Sequence, residues 1–168
     1  MAMLLQNKRL LLDTNVWIAY FLGTESAKQD EATELINACI EARIELYFAA
    51  TSIKDVFYIV PRELRRMERR GAPETSPDAR AAVAWGCVQF MREVAHTATL
   101  CEAECSLATM MRSLNGDFED NMIVAAAETC NADYVVTYDE GLAAAFPAAC
   151  IKPAQALTVI AVDGIARD

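Results

Sequence analysis

Residues 117–140 read DFEDNMIVAAAETCNADYVVTYDE, and this stretch decides the fold. Phe118–Cys130 predicts a helix with acids about its start (Asp117, Glu119, Asp120), and Asp133–Thr137 predicts a short buried strand followed at once by Asp139. The same alternation runs upstream. Arg9–Asp13 (RLLLD) is an apolar strand ending in an acid, Glu45–Ala49 (ELYFA) is a second strand and Thr97–Leu100 a third candidate. Val16–Leu22, Ala27–Ala42, Ser52–Arg70, Asp78–Val94 and Cys101–Ser113 predict helices, with Asp78 placed to cap its own. GAPETSP (residues 71–77) and Asn115-Gly116 are breaks. Downstream, Ala148–Lys152 predicts the last strand, and Pro153 opens a helix to about Val159. Strands alternating with helices imply right-handed βαβ units, an α/β chain with a mainly parallel sheet covered on both faces. Pro61–Pro77 is the one elaboration, read as an excursion of two helices beyond the sheet around residues 61–80.

Composition sets the outer bounds. At 168 residues the chain fits one domain, 1–168, long enough to bury a core without staples. With 54% hydrophobic residues and a mean hydropathy of +0.15, it is not a disordered chain. No charge-free apolar run approaches the ~20 residues a bilayer needs, so no membrane association is expected. Gln6, Asn7, Lys8 and Arg9 break the N-terminal apolar stretch, which is unlike a signal peptide and makes the cytosol the expected compartment. The six cysteines (39, 87, 101, 105, 130, 150) form no CxxC pair and read as small core residues. Cys101 and Cys105, one helical turn apart, are read as packing, not as a metal pair. A net charge of −9 argues against simple coating of a nucleic acid through a basic surface. It leaves room for a nuclease whose bound cations invert the local field. The one histidine, His96, supplies neither an acid–base pair nor a zinc site, so any hydrolytic chemistry rests on carboxylates.

Four aspartates fall in one kind of place. Asp13 ends the first strand, Asp55 lies in the first turn of the helix after the second, Asp120 opens the helix before DYVVT, and Asp139 follows that strand. The carboxyl ends of parallel strands form the crevice where open α/β sheets bind ligands. Each acid also has a structural reading. Asp13 would cap the next helix, Ser52 and Asp55 would form a capping box, Asp117, Glu119 and Asp120 would favour a helix dipole, and Asp139 would belong to a turn. Taken together, converging carboxylates repel one another unless a divalent cation neutralises them. Oxygen-only ligands suit Mg²⁺ or Mn²⁺ over zinc. Two such ions would serve an in-line phosphoryl displacement.

The set LLDTNVW, TSIKDVFYIV, DFEDNMIVAAAETCNADYVVTYDEGL and IKPAQAL resembles the PIN domain, a metal-dependent ribonuclease family, over Leu10 to about Leu157. The likeness is greatest to toxins of toxin–antitoxin pairs and their unpaired relatives. It implies a three-layer αβα sandwich and hydrolysis of RNA by metal-activated water, leaving 5′-phosphate and 3′-hydroxyl ends. It makes Asp13, Asp55, Asp120 and Asp139 the catalytic, metal-binding acids, with Asp117 an auxiliary metal ligand. It makes Asn15, Ser52 and Thr137 supports that orient ligands or water. It also implies one or two Mg²⁺ or Mn²⁺ ions, a homodimer and a small antitoxin partner. Three features depart from the family: Asp55 stands where Glu is usual, Asn121 where a small apolar residue is commoner, and Pro61–Pro77 is longer than minimal toxins carry.

Arg62, Arg65, Arg66, Arg69 and Arg70 recur at i, i+3, i+4, i+7 and i+8, one helical face, opposite Val60, Leu64 and Met67. The stripe fits guidance of an RNA backbone or an acidic partner, and equally a solvated face paired with Glu63 and Glu68. Trp17, Tyr20, Phe21, Phe57 and Tyr58 gather near the first two acids, as core, dimer face or base-stacking residues. Two other functions fit less well. A phosphorylation-controlled receiver matches Lys152-Pro153 but lacks adjacent acids after the first strand, where Asp13-Thr14-Asn15 stands. A haloacid-dehalogenase-type phosphatase requires D-x-D where the chain has D-T-N. A PIN fold serving only as an interaction scaffold is the third alternative.

Overall fold

The computed structural model describes residues 8–23 and 25–165, so the N-terminal stretch weighed as a leader lies largely outside the described residues. Five strands form one wholly parallel sheet. They are β1 (Arg9–Leu12), β2 (Glu45–Ala49), β3 (His96–Ala98), β4 (Tyr134–Val136) and β5 (Cys150–Ile151), in the order β3-β2-β1-β4-β5. The chain moves outward from β1 through β2 to β3, then crosses back to place β4 on the other side of β1. The strand order therefore reverses between β1 and β4, where such sheets open a crevice at their carboxyl ends.

Side-chain alternation along the strands builds the three layers. Leu10, Leu12, Leu46, Phe48 and Val136 face one side, against α1 (Thr14–Leu22), α2 (Ser26–Glu41), α3 (Ala50–Glu68), α4 (Pro77–Val94) and α8 (Pro153–Ile165). Leu11, Ala49, Ala98 and Val135 face the other, against α6 (Phe118–Thr129) and α7 (Glu140–Ala145). α5 (Glu102–Met110) and a 3₁₀ turn, Met111–Ser113, precede α6, and Ala108 packs on Met122 and Ala125. This is the αβα sandwich the resemblance implies.

Several boundaries differ from the sequence reading. α3 starts at Ala50, so Asp55 sits in its second turn, and the Ser52–Asp55 capping box is not formed. The cap of α4 is Ser76, whose Oγ accepts the Ala79 N–H at 3.1 Å, not Asp78, which lies inside the first turn. Pro77 explains the shift: it lacks an N–H and favours the first helical position, leaving the residue before it as the cap. α7 has no counterpart in the sequence pattern, and α8 runs on past Val159 to Ile165. β3 covers His96–Ala98 instead of reaching Leu100. Residues 61–80 form the far end of the α3–α4 hairpin: Arg80 is the buried residue among them and Leu64 packs half-buried against the core, while Val60, Cys87 and Met91 on either side lie inside it. Glu68 ties the hairpin shut, taking Arg80 Nη1 on both oxygens at 3.0 Å as well as Thr75. Cys39, Cys87 and Cys150 are buried as expected, whereas Cys101 is exposed.

Turn chemistry sets the entry to β4. Asn131 takes a left-handed φ of 54°, tolerated by Asn, and the Ala132 N–H returns to Ala127 O at 2.9 Å to end α6. Tyr134 then enters the sheet opposite Leu10.

Leu11 is fully buried at the centre of the smaller face. Leu11→Ala should lower unfolding free energy by about 2–5 kcal/mol in a urea titration. A loss below 1 kcal/mol would place this residue outside a packed layer.

Candidate functional site

Asp13 follows β1 directly, and its N–H extends the ladder to Val136 O at 3.0 Å. The residue is 5% exposed. Its Oδ2 accepts Thr137 Oγ1–H at 2.7 Å and Asn15 Nδ2–H at 2.6 Å. Asn15 also donates to Thr137 Oγ1 at 3.0 Å, and its Oδ1 accepts the Tyr138 N–H at 3.0 Å. Thr137 Oγ1 in turn accepts the Asp139 N–H at 2.9 Å. Asn15 and Thr137 thus fix the first acid and clamp α1 to the end of β4. Ser52 does not join them: it is fully buried, and its Oγ accepts Thr14 Oγ1–H at 2.9 Å.

A cavity of about 650 Å³ opens at this edge of the sheet, lined by Asp13, Asp55, Asp117, Asp120 and Asp139 together. Asp120 reaches it because α6 runs antiparallel to the strands, which puts its N-terminus at their carboxyl ends. Asn115 Nδ2–H donates to Asp120 Oδ2 at 3.1 Å. The buried Asn121, at the departure from the family pattern, donates to Asn115 O at 2.9 Å and braces that loop. Asp117 caps α6, its Oδ1 accepting the Glu119 and Asp120 N–H groups, and Asp139 caps α7, its Oδ1 accepting those of Gly141 and Leu142. Asp55 pairs with Lys54 at 2.9 Å. The cavity also takes in Glu119, Glu25, Lys28, Tyr58, Arg62 and Tyr138. Glu119 stands in DFED, where its position marks it only as a helix-dipole residue; Lys28 and Tyr138 carry no sequence signal.

The electrostatics follow from this crowding. Burial pushes the Asp13 carboxyl up to about 6, with Asp120 and Asp139 adding repulsion against the hydrogen bond from Thr137. Burial also raises Asp120, with Asp117 and Asp139 contributing, while Asn115 opposes. A hydrogen bond with Asp55, then burial, raises Glu119. Among the described residues, no three acidic, His or Cys side chains are close enough as placed to ligate one ion. The acids ring the cavity instead. Their chemistry fits a hard divalent cation: every donor is oxygen, and the most buried acid is disfavoured in its charged form.

The arginine stripe divides. Arg62 lines the cavity, Arg65 and Arg66 occupy the last turn of α3 with Arg66 3.5 Å from Glu63, and Arg69 and Arg70 lie beyond the helix end. Arg69 still holds helical geometry, its N–H reaching Arg65 O at 3.2 Å, so Arg62, Arg65, Arg66 and Arg69 keep the helical spacing, and the chain leaves it at Arg70, before Gly71 at φ 102°. His96 sits on the edge strand beside Tyr47, away from the acids.

The shift at Asp13 sets a pH dependence. Its folded pKa lies above the ordinary 3.8, so the folded form holds a proton that the unfolded chain releases between pH 3.8 and about 6. Metal-free stability should fall as pH rises through that window, by roughly 3 kcal/mol from this group. Asp13→Asn keeps an acceptor for Thr137 and Asn15 and removes the charge. In chelator at pH 7 it should melt above the parent, with a flatter profile from pH 4 to 6, and Mg²⁺ or Mn²⁺ should raise the parent's melting temperature more. A variant melting lower at pH 7, with the parent's slope, would refute the burial of a disfavoured charge.

Comparison with known proteins gives the family. Among solved structures, the chain resembles VapBC2 from Rickettsia felis, solved bound to a DNA fragment from the promoter, with a TM-score of 0.58 at 9% identity, over 86% of this chain and 98% of that one. It resembles VapBC-1 from nontypeable Haemophilus influenzae with a TM-score of 0.57 at 12% identity, over 87% and 98%. The third is PAE2754 from Pyrobaculum aerophilum, with a TM-score of 0.56 at 18% identity, over 92% and 90%. At such identities the likeness is one of fold. No curated protein matches the sequence significantly. The PIN domain family model matches residues 9–141, taking in β1, the switch point and all five aspartates, and on that match the chain belongs to the PIN domain family.

Proposed function

We propose that this chain is an Mg²⁺- or Mn²⁺-dependent endoribonuclease that hydrolyses RNA phosphodiesters, the toxin of a toxin–antitoxin pair. The carrying observation is the convergence of Asp13, Asp55, Asp117, Asp120 and Asp139, from four separate parts of the chain, on one cavity at the sheet's switch point. Asp13, Asp120 and Asp139 would hold the cation, with Asp55 and Asp117 beside them. When bound, such an ion polarises phosphate oxygens and acidifies water. Asn15 and Thr137 keep Asp13 aimed, and Asn115 keeps Asp120 aimed. The hydrogen bond with Asp55 raises the Glu119 carboxyl above its ordinary value. Lys28 and Arg62 offer the lining its cations for a phosphate backbone.

The toxin assignment takes its support from family membership and from the VapBC toxin–antitoxin assemblies among similar folds. A small antitoxin and a second copy of the chain are the expected partners. No helix among the described residues is long and apolar enough to cross a membrane, and the proposed site of action is the cytoplasm. Against the receiver reading, Lys152 Nζ pairs with Glu140 at 2.9 Å and is not part of the cavity lining.

Labelled RNA incubated with the full chain should be cut in Mg²⁺ or Mn²⁺ and left intact in chelator, leaving 5′-phosphate and 3′-hydroxyl ends. Asp13→Asn and Asp120→Asn should each lose roughly 100-fold or more in rate, with circular dichroism unchanged. Full activity in both variants, or cleavage that ignores chelator, would reject the site. Stable labelling by an acyl phosphate, without RNA cutting, would favour the receiver.

A further inference from the structure

One wall of the cavity comes from a single face of α3. Asp55, Tyr58, Ile59 and Arg62 recur at i, i+3, i+4 and i+7, and all four line it. At 1.5 Å per residue, Tyr58 stands about 4.5 Å along the axis from Asp55, and Arg62 about 10 Å. Tyr58 is 67% exposed, a large aromatic left open on the wall of a polar cleft. Its ring is braced edge-on by Phe57, with centroids 5.2 Å apart at 88°, and Phe57 rests on Trp85 at 4.9 Å.

The other cavity tyrosine is differently disposed. Tyr138 donates its hydroxyl hydrogen to Lys28 O at 2.9 Å, and Lys28 Nζ covers its ring 5.6 Å from the centroid. The α3 wall therefore carries the open aromatic face. Reading outward from the acids, it offers a carboxylate, a ring and a guanidinium. A nucleic-acid strand entering from the rim would present a reacting phosphate, a base and a further phosphate in that order.

Resting on the ribonuclease reading, we propose that Tyr58 is the platform on which one base of the RNA stacks, with Arg62 taking the phosphate beyond it. The stack requires that nucleotide to be free of a pairing partner. A base lies flat on a protein ring only when it is unpaired and unstacked from its neighbours. The stack also sets the register of the strand against Asp55 and the other acids, so Tyr58 acts in binding and positioning.

The test uses the full chain with Asp13→Asn as a cleavage-deficient background, and fluorescence anisotropy with a labelled single-stranded oligoribonucleotide. Added Tyr58→Ala should weaken binding roughly 5- to 100-fold, the range for one stacked base, and Tyr58→Phe should bind within about twofold of the background. Removing bases one at a time should reveal one abasic position at which the background weakens and Tyr58→Ala does not weaken further. Arg62→Gln should reduce the slope of log affinity against log salt by about 0.7. The same sequence as a blunt duplex should bind at least roughly tenfold more weakly. Equal binding by Tyr58→Ala, equal affinity for duplex, or a Tyr58→Ala loss that tracks a change in oligomeric state would each overturn the stacking role while leaving the nuclease reading intact. Absence of RNA binding by the background and of cleavage by the parent would overturn the ribonuclease reading and this inference with it.

Discussion

The structure depends on the pairing of β1 with β4 and on the carboxylate fastened across their ends. The Asp13 N–H carries the ladder one residue past the strand, and its side chain turns in to meet Thr137 and Asn15. Those bonds oppose a desolvation penalty that would otherwise favour a neutral acid. The fold thus holds an ionisable group where folding alone would not place one. A compact chain tolerates that cost because both faces of its sheet are fully packed, with Leu10, Leu11 and Leu12 all excluded from solvent.

Local pattern carried the elements well and their arrangement poorly. The strands RLLLD, ELYFA and DYVVT lie where apolar runs end in turn residues or acids, and the helices fall between them. Strand order is a non-local property: nothing in DYVVT says that it pairs with RLLL instead of with HTA. Asp120 illustrates the gap, since its place at the cleft follows from the crossover that brings α6 back antiparallel to β1. The missed helix EGLAAA is six residues long, too short for periodicity to register, and it exists because Asp139 caps it.

Structural and functional readings of the same acid turn out to be compatible. Asp117 and Asp139 each accept two backbone N–H groups on Oδ1 alone, while their side chains still border the cavity. A cap fixes the side chain's rotamer and aims it, which is what a ligand position needs. Ser52 shows the reverse. Its predicted cap is absent because α3 begins earlier, and burial beneath the cavity leaves it bonded to Thr14 instead.

Charge then separates the rim from the floor. The lining holds Asp13, Glu25, Asp55, Asp117, Glu119, Asp120 and Asp139 against Lys28 and Arg62, and Lys28 is already engaged by Glu25 at 2.9 Å. A polyanion approaching a chain of net charge −9 is repelled almost everywhere, so the approach that costs least runs along the exposed arginines at the end of α3. Arg62 is the member of that group that also borders the cavity, one turn beyond Tyr58.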